Sequence, residues 1–152
     1  MSTIQNAILD DVKQTLLGIE GMKNVYRWGI PDPTQQSSYP YAIVTAESEK
    51  YDQLNTIHLC SMSVTVDVVG RIQFTDDDEV GAYVCDLLAS IKDAIMADER
   101  RGTTDGCPNA ISTRLASSTP VVNFGAKPNV AVSLSFDVQY RTRVGDSSSQ
   151  MP

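Results

Sequence analysis

Residues 129–146 read NVAVSLSFDVQYRTRVGD and alternate more strictly than any other part of the chain. Val130, Val132, Leu134, Phe136, Val138 and Tyr140 fall on one face of an extended segment, and Ala131, Ser133, Ser135, Asp137, Gln139 and Arg141 on the other. Period-two alternation of this kind predicts a strand with one face on an apolar core. Its length is the constraint. Fourteen extended residues at about 3.3 Å each reach roughly 45 Å. A compact globule of 152 residues has a radius of gyration near ~15 Å and hence a diameter of roughly 40 Å. A straight strand over 129–142 therefore crosses the whole domain or leaves it. Either a bend or bulge divides it, or it projects and packs against a neighbouring subunit.

A second segment repeats the pattern. From Leu59 to about Ile72, Cys60, Met62, Val64, Val66 and Val68 line one face, while Ser61, Ser63, Thr65 and Asp67 line the other. Two such ribbons favour a projecting hairpin or a sheet shared across an assembly. A protruding ribbon with an apolar face is poorly soluble alone and calls for a partner.

The remaining elements follow from periodicity and punctuation. Ile4, Ile8, Val12 and Leu16, with Ala7, Leu9 and Ile19 alongside, form a helical stripe that begins at Ser2 or Thr3 and ends at Gly18 and Gly21. Thr3 is the expected N-cap. Short strands are expected at Asn24–Trp28 and Tyr41–Glu47, separated by the proline-rich loop GIPDPTQQSSYP, residues 29–40. A polar connection is expected over 48–57. Val80, Val84, Leu87, Leu88, Ile91 and Ile95 make a second helical stripe, opened at Thr75 or Asp76 with Asp76 and Glu79 at capping-box spacing. Lys92, Arg100 and Arg101 lie toward its C-terminal end, where cations complement the helix dipole. Residues 102–108 read as loop, 110–117 and 119–127 as two weak strands, and 145–152 as a disordered tail. The order predicts one α+β domain over residues 1–144. It is a mostly antiparallel, mixed sheet with two long strands and two α-helices packed on one face.

Hydrophobic residues at 41% and charged residues at 20% are the composition of a folded chain rather than a disordered one. No apolar run is long enough to span a bilayer, and MSTIQNAILDDVK does not read as a signal peptide. A net charge of −7, with 12 Lys and Arg, argues against a nucleic-acid grip through phosphates. Cys60, Cys85 and Cys107 lack CxxC spacing and are expected to be reduced, mostly structural thiols.

Chemistry-bearing patterns are sparse. His58 is the single histidine, two residues from Cys60 on one strand face; such neighbours seldom form a nucleophile–base pair, and as metal ligands they lack a second pair. The acidic run Asp76–Glu79 opens a helix, and capping explains it better than a cation. No phosphate-cradling glycine motif is present. No catalytic residue, cofactor or metal site is therefore assigned. Tyr140, Arg141 and Arg143 end the last strand as YRTR. They are either a solvated strand end or an anchor on an acidic partner.

Several phrases and their order carry a resemblance: IQNAILDDVKQTLLGI, NVYRWGIPDP, YPYAIV, SMSVTVDVVG, DDDEVGAYVCDLLASIKDAIMAD and the closing VQYRTRVGD. Over about residues 2–144 the chain resembles the tail terminator, or tail completion, proteins of long-tailed bacteriophages. The resemblance implies a non-enzymatic virion protein of the tail or neck, made in the host bacterial cytoplasm. It implies a homohexameric ring that caps the tail tube, stops its elongation and offers a surface to the head-completion proteins. DNA would pass through the ring without sequence-specific binding, and no membrane is involved. The family's contacts follow no readable motif, so the candidates are regional: residues 29–40, 48–57, 100–109 and the YRTR end. Within and around them the interaction candidates are Trp28, Tyr39, Tyr51, Arg100, Arg101, Arg114, Tyr140, Arg141 and Arg143. Two other readings stay open. One is a different neck or head–tail completion protein of the same virion; the other is a small hydrolase or ligand-binding module using His58.

Overall fold

The computed structural model describes residues 3–28, 40–71, 77–123 and 129–147. Helix α1 spans Ile4–Leu17. Thr3 caps it in extended conformation, its hydroxyl accepting the Asn6 amide at 3.1 Å. Ile4, Ile8, Leu9, Val12 and Leu16 form its buried stripe, and Gly18 closes it. Gly21, at φ 88°, then turns the chain into the left-handed region that glycine enters without a Cβ penalty.

The strands are β1 (Asn24–Arg27), β2 (Tyr41–Leu54), β3 (Ile57–Arg71), β4 (Thr103–Thr104), β5 (Cys107–Pro108), β6 (Ser112–Asn123) and β7 (Asn129–Arg143); α2 spans Asp77–Met96. The main sheet has the order β1-β2-β3-β7-β6. Only β1–β2 is parallel, and the other three pairings are antiparallel. The α+β class and the mixed, mostly antiparallel sheet agree with the sequence. The expected cap at Thr75 or Asp76, the proline loop through residue 39, the turns about Gly125 and Pro128, and residues 148–152 lie outside the described residues.

The two long ribbons pair with each other. β3 and β7 run antiparallel from Ile57↔Arg143 to Arg71↔Asn129 with no register shift. Neither is bulged, so that way of shortening them is not used. Their apolar faces, Cys60 to Val68 and Val130 to Tyr140, are buried. The cover comes from this chain's own helices, which corrects the expectation that sister copies supply it. A helix the length of α2 spans about 30 Å. Its first turns, through Val80 and Val84, pack on Val130 and Val132. Its last turns, through Ile91 and Ile95, join α1 over the rest of the sheet. A Cβ at Gly70 would meet the Tyr83 hydroxyl of α2, so any side chain there requires the Tyr83 ring to shift.

The flanking strands differ from the sequence reading. β2 does not stop at Glu47 but runs through the expected connection to Leu54, and pairs with β3 across a turn at Asn55 and Thr56. Asn55 has φ 58°, a left-handed value that asparagine tolerates in tight hairpins. A bulge between Ala46 and Ser48 shifts the side-chain phase, and beyond it the helix-side positions Glu49, Tyr51 and Gln53 carry no aliphatic signal. β6 is one strand rather than two. A bulge between Leu115 and Ser117 breaks its alternation, and Pro120 is accommodated because β6 lies at the sheet edge. Residues 102–108, expected as loop, hold the small β4–β5 hairpin, whose Asp105 and Gly106 both have positive φ, 53° and 80°. Residues 145–147, at the start of the expected tail, are among the described residues, and the Ile4 amide donates to the Ser147 carbonyl at 3.0 Å.

Candidate interaction surfaces

At the hairpin end of the sheet, Glu49 of β2 gathers three donors. The Tyr140 hydroxyl donates to Oε1, while Gln5 Nε2 (3.2 Å) and the Tyr51 hydroxyl (3.0 Å) donate to Oε2. The carboxylate thus ties α1, β2 and β7 together beside a cleft of about 310 Å³ that His58 and Cys60 also line. Burial pushes the Cys60 thiol up, the opposite of the shift that makes a thiolate nucleophile. Cys60 Sγ lies 3.9 Å from the backbone carbonyl of His58 and donates there, not to the ring. The imidazole instead stands 6.1 Å, centroid to centroid, from the exposed Tyr51 ring. This is a closed hydrogen-bonded knot rather than a nucleophile–base pair.

Burial first, and the hydrogen bond to Glu49 second, hold the Tyr140 phenol far above its ordinary value of 10.0. A folded-state value raised in this way contributes stability that is complete below pH 10.0 and is lost as pH climbs through the folded value. In an ultraviolet titration of the native protein, Tyr140 is expected to stay protonated where exposed tyrosines ionise. Tyr140→Phe should remove part of the alkaline loss of stability, measured as the urea midpoint against pH. An unchanged alkaline limb in that variant would contradict the assignment.

The interaction candidates separate by exposure. Trp28 directly follows β1, with φ 62° and 62% of its surface exposed. Tyr51 is 63% exposed, and Arg100, Arg114, Arg141 and Arg143 are exposed. Tyr39 lies outside the described residues. Arg100 donates from Nη1 to the Ile111 carbonyl at 2.7 Å, so it braces the loop after α2 while reaching solvent. Two candidates are corrected. Tyr140 is 4% exposed and is spent on Glu49. Arg101 is fully buried; its Nη2 donates to the carbonyls of Ile95 and Asp98 at the C-terminal end of α2, and Nη1 lies 3.6 Å from Asp11 Oδ2. The expectation of a cation at that helix end holds for Arg101, from inside the fold. Of the thiols, Cys60 is buried but Cys85 and Cys107 are exposed and free. Cys85 falls on the outer side of α2, off the apolar stripe.

Three exposed features escaped sequence reasoning. Leu54 and Val144 stand out at the hairpin end, and Leu115 and Val121 on β6. Beyond Val44, where pairing with β1 ends, β2 has no neighbour on its second edge among the described residues. The helix-free face of the sheet carries small polar groups, with Thr65 and Ser135 hydroxyls 3.5 Å apart at its centre. Among the described residues there is no cluster of three or more His, Cys, Asp or Glu able to hold a metal ion. No described helix is long and apolar enough to cross a membrane.

No family model matches the sequence, and no curated protein does. Solved structures do. The fold is similar to that of a chain in the virion of a native gene transfer agent particle, with a TM-score of 0.62 and 14% sequence identity. The match covers 91% of this chain and 98% of that one. At that identity, what the two share is the fold.

Proposed function

We propose that the chain is a structural protein of a phage-like virion, and within it a tail terminator. In this reading copies form a homohexameric ring that caps the finished tail tube, ends its elongation and docks the head-completion proteins. The observation that carries it is the fold shared, over nearly the whole length of both chains, with a component of a gene transfer agent virion. The sequence resemblance across residues 2–144 supports the terminator in particular. The role is non-enzymatic; the raised Cys60 thiol and its donation to the His58 backbone carbonyl fit that. With a net charge of −7, a ring of such subunits would let DNA slide through its lumen rather than hold it.

Adding the protein to tail-tube subunits during assembly is the test. A terminator binds one tube end and fixes tube length, seen by electron microscopy and by light scattering that stops rising. Tubes that grow undiminished with the protein bound elsewhere on the particle would favour a different neck component. His58→Ala should leave both binding and arrest unchanged.

A further inference from the structure

We propose that the outer edge of β6 pairs, antiparallel, with the Thr45–Leu54 stretch of β2 in the next copy, so that subunits of the ring share one continuous sheet. The proposal rests on the ring reading above and says how the ring is joined.

The sheet ends in two unlike open edges. Among the described residues, β6 has β7 as its single neighbour at one side, and at the other β2 has no second neighbour beyond Val44. Natural edge strands are kept short, charged or covered. β6 is 12 residues long, carries Arg114 as its one charge, and is exposed on both faces from Arg114 to Val121. Its guards are Arg114, the bulge between Leu115 and Ser117, and Pro120 toward one end, and they leave most of Ser112–Thr119 to meet a partner.

Strand polarity selects the mate. β2, β3, β7 and β6 alternate in direction, so β2 and β6 run oppositely. Repeating the subunit around an axis along the strands then sets β6 antiparallel to the next β2, the same pairing used inside the chain. Such a contact is heterologous, the type that closes into rings. Pairing β6 with a second β6 would instead stop at a dimer and leave the β2 edge open.

Charge and side-chain face agree. Thr45–Leu54 reads TAESEKYDQL, three carboxylates against one lysine. Glu49 is engaged inside the subunit, whereas Glu47 and Asp52 are exposed and available to the exposed Arg114. On the helix side, Leu115 stands opposite the buried Phe136 yet is 41% exposed. Ala46 and Tyr51 of an incoming β2 lie on that same side of their sheet, opposite Val64 and Cys60.

The test uses the full chain and reads particle mass by sedimentation equilibrium, free and on tail-tube ends. Ser118 shares the strand parity of Pro120, whose position must face away from the β7 ladder. Ser118→Pro therefore removes an outward donor and spares the inner pairing. It is expected to lose the multi-copy mass while keeping its circular dichroism and urea midpoint. Should that variant fail to fold, charge decides. Arg114→Glu is expected to weaken self-association roughly tenfold, and adding Glu47→Lys and Asp52→Lys to restore it. A folded Ser118→Pro chain of unchanged mass overturns the proposal, as does Arg114→Glu with undiminished association or a wild type that stays monomeric both free and on tubes. Arrest of tube growth by the wild type is scored separately. Mass lost in Ser118→Pro without wild-type arrest sinks the terminator reading alone; arrest retained by a Ser118→Pro chain of unchanged mass sinks the edge pairing alone.

Discussion

Phe136→Ala is expected to destabilise the fold by about 3–5 kcal/mol, the range for truncating a fully buried phenylalanine. Phe136 has no exposed surface and lies in the middle of β7, opposite Val64 on one side and Leu115 on the other. It belongs to the cluster formed by α1, the end of α2 and both long strands. Its removal opens a void that three elements border and none can fill without moving the sheet. Domains of this size are typically stable by about 5–15 kcal/mol, so the loss is a large share of the whole. The melting temperature should fall by roughly 10 °C. The urea midpoint should drop with little change in slope. Leu115→Ala, one strand away and 41% exposed, should cost much less than Phe136→Ala, within about 1 kcal/mol in the monomer. Equal losses at the two positions would contradict the burial described for Phe136.

Arg101→Ala is expected to cost about 3–5 kcal/mol, as when one partner of a buried ion pair is deleted. The guanidinium occupies the junction of α1, the end of α2 and the loop leading to β6. Nη2 serves the Ile95 carbonyl in the last turn of α2 and the Asp98 carbonyl just beyond it, which also accepts the Arg101 amide, and the charge faces Asp11. The Arg101 carbonyl in turn accepts Asn109 Nδ2 at 2.9 Å. Burial already pushes the Asp11 carboxyl up despite that cation; without Arg101 it would be stranded. Arg101→Met fills the volume but leaves the same carboxylate, whereas Arg101→Met with Asp11→Asn removes both charges. The double variant should recover a substantial part of the loss, because apolar replacement of a whole buried pair is often neutral. A double-mutant cycle by urea unfolding measures this. Simple additivity would show that the two groups do not act as a pair.

Arg101 also shows where sequence reading reaches its limit. Alternation in β3 and β7 and the helical stripes of α1 and α2 were legible because one face of each is uniformly aliphatic. The hairpin half of β2 was not. Its helix-side positions are Glu49, Tyr51 and Gln53, and the bulge at Ala46 and Ser48 changes the phase where the pattern would be recognised. β6 was split for the same reason, by its own bulge and by Pro120. Among the contact candidates, Trp28, Tyr51, Arg114 and Arg141 do face solvent. Tyr140 and Arg101 were chosen for residue type, and type does not encode burial. Tyr140 turns inward because Glu49, distant in sequence, arrives beside it; Arg101 because helix-end carbonyls and Asp11 converge on it. Both causes are tertiary. The open edges were invisible for a related reason: an edge is defined by which strands fail to arrive.

The register of β3 against β7 fixes an order of events in the cell. The central partner of β3 is synthesised well after it, and contacts such as Thr65 with Ser135 close loops of about 70 residues. Until Arg143 emerges, a nascent chain holds the β2–β3 hairpin with one long side open and the hydrophobic stripes of both helices only partly covered. Completion of the centre therefore waits on β7, and high sequence separation makes it slow. During that interval the partly folded chain is a target for holding chaperones.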